Sequence, residues 1–215
     1  MTTGNCDPRK SEGDFGKLFR EIKRCKDARR CPDLKSRCYY FEPNPDTISE
    51  WMQKEKFYVH EIDRRVMFVC ESPGKQFATE NLSCTIRCWN GTGGTAQDKV
   101  FKKARMDNDF SNCYITNTVK CGFRIGRTKH LEQEIERCLP FLKREINLIN
   151  PSVIIGVGNN AYHTLRWKVL PHLENPPVLF QITHYSSRGN EKKRWEVEFP
   201  ELMRLLNRLR SKDIL

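Results

Sequence analysis

The stretch Cys113-Tyr-Ile-Thr-Asn-Thr-Val-Lys-Cys121 sets the reading of the fold. Its apolar and β-branched start reads as a buried strand that stops at a polar residue, Asn117. A primary amide offers a donor and an acceptor side by side, so at a strand end it can read the edge of a base. Cys121 follows shortly after and can ligate metal, pinning the loop that leaves the strand. Three other strand-like runs stop in the same way, on Cys70-Glu71, Gly156-Val157-Gly158 and Thr183-His184. The repeated layout predicts a site along one edge of a parallel sheet.

Working outward, Arg65–Cys70, Cys113–Asn117, Ser152–Val157 and Val178–Thr183 are the expected strands. Apolar residues at 131, 135, 138, 142, 146 and 149 predict an amphipathic helix over Leu131–Ile149, with a kink or restart at Pro140. Further helices are expected over Asp14–Arg24, from Thr47, near Ala96–Ala104, from Asn160 and over Pro200–Arg210, the last with Leu202, Leu205, Leu206 and Leu209 inward. Continuous apolar strands alternating with helices imply a parallel sheet covered on both faces. The expected fold is α/β, a three-layer α/β/α sandwich with a central four-stranded parallel sheet. Residues 1–13 are polar and read as a disordered tail, and 14–215 as one domain. The long glycine-bearing loop Glu71–Thr95 reads as functional, because connections of that length are uncommon otherwise.

The chain carries 38 Lys+Arg against 27 Asp+Glu, a formal net charge of +11. Such an excess favours a polyanionic partner. Lys120, Arg124, Arg127 and Lys129 follow Asn117 with no acid among them, so this segment is expected to track phosphates. No stretch approaches the ~20 apolar residues of a membrane span, and the start lacks the apolar core of a signal peptide. A cytoplasmic, nucleoid-associated monomer is the expectation. In a reducing compartment the ten cysteines call for something other than disulfides.

At the strand ends, two readings are open for each polar residue. Glu71 can orient a water or stabilise a cation, or it is a solvated loop acid. Asn117 reads a base edge or caps a turn. His184 stabilises an anionic leaving group or is a partly buried, satisfied histidine. Trp89 is a stacking platform or a core residue. Gly156 and Gly158 read as serving a strand-to-helix turn more than a phosphate cradle. Cys25 and Cys31, with Cys121 and Cys138, can converge on an iron–sulfur cluster or a zinc ion, or are unrelated buried thiols.

Together these residues resemble the uracil-DNA glycosylase superfamily, and most closely its iron–sulfur family 4. Met67-Phe-Val-Cys-Glu-Ser-Pro-Gly74 is similar to that family's first motif, a hydrophobic strand followed by Gly-Glu-Ala-Pro-Gly. Cys88-Trp-Asn-Gly-Thr-Gly-Gly94 is similar to its Pro-Phe-Val-Gly-Arg-Ala-Gly loop. Tyr114-Ile-Thr-Asn-Thr-Val-Lys-Cys121 nearly repeats its Tyr-Ile-Thr-Asn-Val-Val-Lys-Cys, and Glu134-Ile-Glu-Arg-Cys-Leu-Pro-Phe-Leu142 resembles the helix carrying its fourth cysteine. The resemblance covers about Arg24 to Arg188.

The resemblance implies a DNA repair hydrolase that flips uracil out of DNA and leaves an abasic site. It implies that Glu71 serves the water or the sugar cation and that His184 bonds the base carbonyl. Asn117 would recognise the uracil edge, Trp89 would stack on it, and Cys70 and Gly74 would flank it. Ser186, Ser187 and Arg188, in a loop resembling that of single-strand-selective glycosylases, would join Lys120, Arg124 and Arg127 on DNA, with Arg188 filling the vacated stack. Cys25, Cys31, Cys121 and Cys138 would hold a structural 4Fe-4S cluster, with Cys38 as a substitute ligand. The sequence departs from the family at Cys70, which stands for Gly, and at Cys25-x5-Cys31, which stands for Cys-x2-Cys. Shifted specificity toward hypoxanthine, or non-turnover or covalent binding of uracil-DNA, are the alternatives.

Overall fold

Runs of β-branched and large apolar residues make the sheet. Strands β1 (Asp63–Cys70), β2 (Cys113–Asn117), β3 (Val153–Val157) and β4 (Val178–Ile182) all pair in parallel, in the order β2-β1-β3-β4. The structure is a computed structural model that describes residues 14, 17, 18, 21, 22, 25, 63–72, 113–120, 132–184, 187 and 189–212. The expected tail, the helices from Thr47 and at Ala96–Ala104, and nearly all of the 71–95 loop lie outside these residues.

Alternation along the strands builds two cores. Val66, Phe68 and Cys70 of β1, with Val153, Ile155, Val157 and Ile182, face helix α4 (Phe199–Arg210) through Phe199, Leu202, Leu206 and Leu209. Met67, Val69 and Ile154 face the other way, onto Leu139, Leu142, Ile146 and Ile149 of α1 (Glu132–Ile149) and Leu165 and Val169 beyond α2 (Asn159–Thr164). Each such side chain taken fully from water contributes about 1.5–3 kcal/mol. The result is the expected α/β/α sandwich on a four-stranded parallel sheet. A short α3 (Glu191–Lys193) and a wide turn, Arg194–Glu198, lead into α4. Among the described residues no helix is long and apolar enough to cross a membrane.

Two details differ from expectation. β1 starts earlier, at Asp63, and its register with β2 shifts between Asp63 and Met67, so its polar start was hidden from an apolar-run reading. α1 runs through Pro140 without restarting. Pro140 is exposed and its neighbours Leu139 and Leu142 are buried, so their packing offsets the missing amide bond, a cost of about 3 kcal/mol. α1 stops at Asn150, which adopts φ 52° and donates its amide to the Ile146 carbonyl before Pro151 ends the helix.

This topology positions the site. The chain runs from β1 outward to β2, then returns past β1 to β3 and β4 on its other side. The strand order therefore reverses between β1 and β3, and a crevice opens at the carboxyl ends of such a pair.

Candidate active site

Glu71 directly follows β1, and Asn117, the last residue of β2, is in register with Cys70. The chain leaving β2 folds back over the end of β1. Thr118 donates its amide to the Cys70 carbonyl (2.8 Å), Val119 donates to the Glu71 carbonyl (2.9 Å), and the Thr118 hydroxyl donates to that same carbonyl (2.7 Å). These bonds fix Glu71 and Asn117 relative to one another. Asn117 is 5% exposed, at the end of β2. The Ser72 hydroxyl, next to Glu71, is buried and has no partner among the described residues.

The end of β3 reaches the same place. Gly158 has φ 87°, a conformation that disfavours a β-carbon, and a β-carbon there would lie 3.0 Å from that of His184. At Gly156 a β-carbon would meet the Tyr162 Cα at 2.9 Å, so this glycine lets α2 pack on the strand. Both therefore serve the strand-to-helix turn, as read from the sequence. Asn160 in the first turn of α2 then donates its side-chain amide to Glu71 Oε1 at 2.9 Å. That bond spans the crevice between β1 and β3 and orients the carboxylate.

His184 follows β4 and is held by its backbone. Arg194 donates to the Thr183 carbonyl (3.1 Å) and to the His184 carbonyl (2.7 Å), and the Ser187 amide donates to the same His184 carbonyl (2.9 Å). Glu198 accepts the Thr183 amide at 2.6 Å and also its hydroxyl. Burial pushes the His184 imidazole down to about 4, helped by the nearby Arg194 guanidinium. The ring is therefore neutral at pH 7 and can donate one N–H without carrying charge. Ser187 turns its hydroxyl to Asn190, from which it accepts a bond at 2.9 Å.

Lys120 lies elsewhere than expected, and the Cys70 side chain turns away from the sheet edge. Lys120, expected on the phosphate track, is 0% exposed. Its ammonium pairs with Glu145 of α1 and donates to Thr116 Oγ1 (2.8 Å) and the Asn117 carbonyl (2.7 Å), so it cannot reach a phosphate. Cys70, expected at the base, is 2% exposed with its side chain among Val66, Phe68 and Val157. Strand alternation sends it to the α4 face, and only its backbone borders the crevice.

Among the expected metal ligands, Cys25 and Cys138 fall within the described residues, and Cys31, Cys38 and Cys121 fall outside them. Cys138 on α1 is buried, and its sulfur accepts the Lys120 amide at 3.5 Å. Amide donors of this kind stabilise thiolates around clusters. The Cys25 segment packs on the same helix, with Leu18 and Ile22 against Phe141 and Leu148, and Arg144 pairs with Glu21. Two of the four expected ligands are thus carried on elements that pack together, which fits a shared metal centre. Among the described residues no group of three or more candidate ligands is assembled. Gly74, Trp89, Arg124, Arg127, Lys129, Ser186 and Arg188 also lie outside them.

Sequence reasoning missed Asn160, Arg194, Glu198 and Glu145. Asn160 carried a weak signal, two residues beyond the Gly158 turn; the others are partners across space with no local signature.

In open α/β sheets ligands bind outside the carboxyl ends of the strands, and there this fold places a carboxylate, an amide and a neutral imidazole. The chain belongs to the uracil-DNA glycosylase superfamily, whose description it matches over residues 57–208. It is 32% identical over 96 residues to the Type-4 uracil-DNA glycosylase of Sulfurisphaera tokodaii, covering 45% of this chain and 40% of that protein. It is 32% identical over 100 residues to the Type-4 uracil-DNA glycosylase of Thermotoga maritima, covering 46% and 48%. The protein of the same name from Pyrobaculum aerophilum is 34% identical over 98 residues, covering 46% of each. The match thus spans less than half the length of each of these relatives.

Proposed function

We propose that this chain excises uracil from DNA by monofunctional hydrolysis, leaving an abasic site. The reading is supported by the placement of Glu71, Asn117 and His184 at the carboxyl ends of three strands of one parallel sheet, in a chain of this superfamily. A base inside a duplex cannot be reached at its glycosidic bond, so it must first be flipped out. Asn117, whose carboxamide carries a donor and an acceptor side by side, then bonds the acceptor and donor of the uracil edge.

The bond between the sugar C1′ and the base nitrogen breaks, and its electron pair leaves with the base. His184 donates a hydrogen bond to the base carbonyl on which that charge collects. A neutral imidazole suits this role because its bond strengthens as the charge grows. Glu71, oriented by Asn160, stabilises the cationic sugar and orients the water whose oxygen adds to C1′. The water proton is released, and the base leaves as uracil after protonation. Charges and dipoles fixed in advance at these two places lower the barrier.

Cys25, Cys31, Cys121 and Cys138 would hold a 4Fe-4S cluster. Bound there, the cluster would pin the loop after β2 to α1 and to the Cys25 segment. Arg124, Arg127 and Lys129, with Ser186, Ser187 and Arg188, would grip the DNA backbone, and Trp89 would stack on the flipped base beside Gly74.

Oligonucleotides bearing a single uracil, hypoxanthine or mismatched thymine test the reading. Release of free uracil over many turnovers supports it. Release of hypoxanthine alone, or a stable complex without release, would replace it with the corresponding alternative.

A further inference from the structure

We propose that Lys120 and Glu145 are positioning residues for base recognition: a buried brace between α1 and the end of β2 that sets where Asn117 stands. The inference rests on the reading of Asn117 as the base-contacting residue.

Both side chains are essentially removed from solvent, at 1% and 0% exposure. Such a pair gains little net stability, because desolvation offsets most of the attraction. Its geometry is more telling than its energy. The Lys120 ammonium has three N–H donors, and three protein acceptors are placed for them: the Glu145 carboxylate, Thr116 Oγ1 at 2.8 Å and the Asn117 carbonyl at 2.7 Å. The Thr116 hydroxyl in turn donates to Glu145 Oε2 at 2.9 Å. Every one of these bonds falls on the two residues that end β2, or on the helix beside them.

The Asn117 peptide is therefore held from one side by Lys120 and, one residue on, from the other by the Thr118 amide on Cys70. The Lys120 backbone amide points to Cys138 on the same helix, so both ends of this residue are tied to α1 or β2. A lysine brace has a reason to sit here. The residues after a parallel strand no longer have ladder partners, and a freed carbonyl in the core needs a donor. Here the donor is fixed by a carboxylate on a helix that is itself packed on the sheet.

The test uses Lys120→Met combined with Glu145→Gln, which leaves no unpaired buried charge and still gives the Thr116 hydroxyl an acceptor. Melting should fall by only a few degrees, because both charges go together and a single buried carbonyl loses its donor. Hydrogen-exchange protection of the Thr118 and Val119 amides should nonetheless fall, because the Asn117 carbonyl has lost its donor. The kcat/KM for uracil release should drop by about ten- to a hundredfold, the scale of an ångström-level misplacement. Affinity for DNA without uracil should not change. Full protection of both amides with unchanged kcat/KM would overturn the proposal.

A second measurement needs no variant. In the wild-type chain, NMR should detect a coupling from the Lys120 side-chain nitrogen to the Asn117 carbonyl carbon, and its absence would also overturn the brace. If the wild type releases no uracil, the functional reading falls, while the exchange and coupling data still judge the brace.

Discussion

Lowering the pH should destabilise this protein through His184. Burial holds its imidazole at about 4 against an ordinary 6.5. The folded state thus refuses a proton that the unfolded chain accepts between those values. Stability is fully present above pH 6.5, falls as the pH drops toward 4, and levels off below it. A difference of about 2.5 pKa units at 1.36 kcal/mol each is roughly 3 kcal/mol. For a chain of this size that lowers Tm by about 6–12 °C. Denaturation at a series of pH values, for the wild type and for His184→Asn, isolates the effect. Their stability difference should narrow by about 3 kcal/mol between pH 6.5 and pH 4, and the imidazole carbon signals should titrate near 4. Parallel stability curves, or an imidazole midpoint near 6.5, would show that the ring is not desolvated and that its neutrality at the base has another origin.

Other consequences follow from single features. Ser72→Ala should raise stability by about 1 kcal/mol, because it removes a buried hydroxyl with no partner; unchanged or lower stability in urea denaturation would mean that the hydroxyl is satisfied. Purified protein should be brown, with about four irons and four sulfides per chain; a colourless protein with one zinc would replace the cluster. Replacing Arg124 and Arg127 with Ala should reduce the log–log salt slope of DNA binding by roughly two, and an unchanged slope would move the phosphate track elsewhere.

Much of the fold was legible because apolar runs and helical spacing are local signals. Cys113–Asn117 matched β2 to the residue, and the apolar stripe of α1 marked its buried face. Glu71, Asn117 and His184 were legible for the same reason, since each is the polar stop of an apolar run. Lys120 was misread because a lysine in a basic segment predicts solvent. What buries it is Glu145, a residue on a different element. Asn160, Arg194 and Glu198 act on Glu71, Thr183 and His184 across space, and no spacing in the sequence announces such pairings. Strand alternation alone sends the Cys70 side chain to the face shared with Val66 and Phe68.

The proposed chemistry requires one crevice both to read uracil and to release it. Single-turnover release from an oligonucleotide with one uracil, measured for the wild type, Asn117→Ala, His184→Ala and Glu71→Gln, separates a working site from a structural one. The wild type should release uracil. His184→Ala and Glu71→Gln should each be slower by about a hundred- to a thousandfold, and Asn117→Ala should lose preference for uracil. Release at the wild-type rate by both His184→Ala and Glu71→Gln would contradict the account, leaving those residues structural and the site elsewhere.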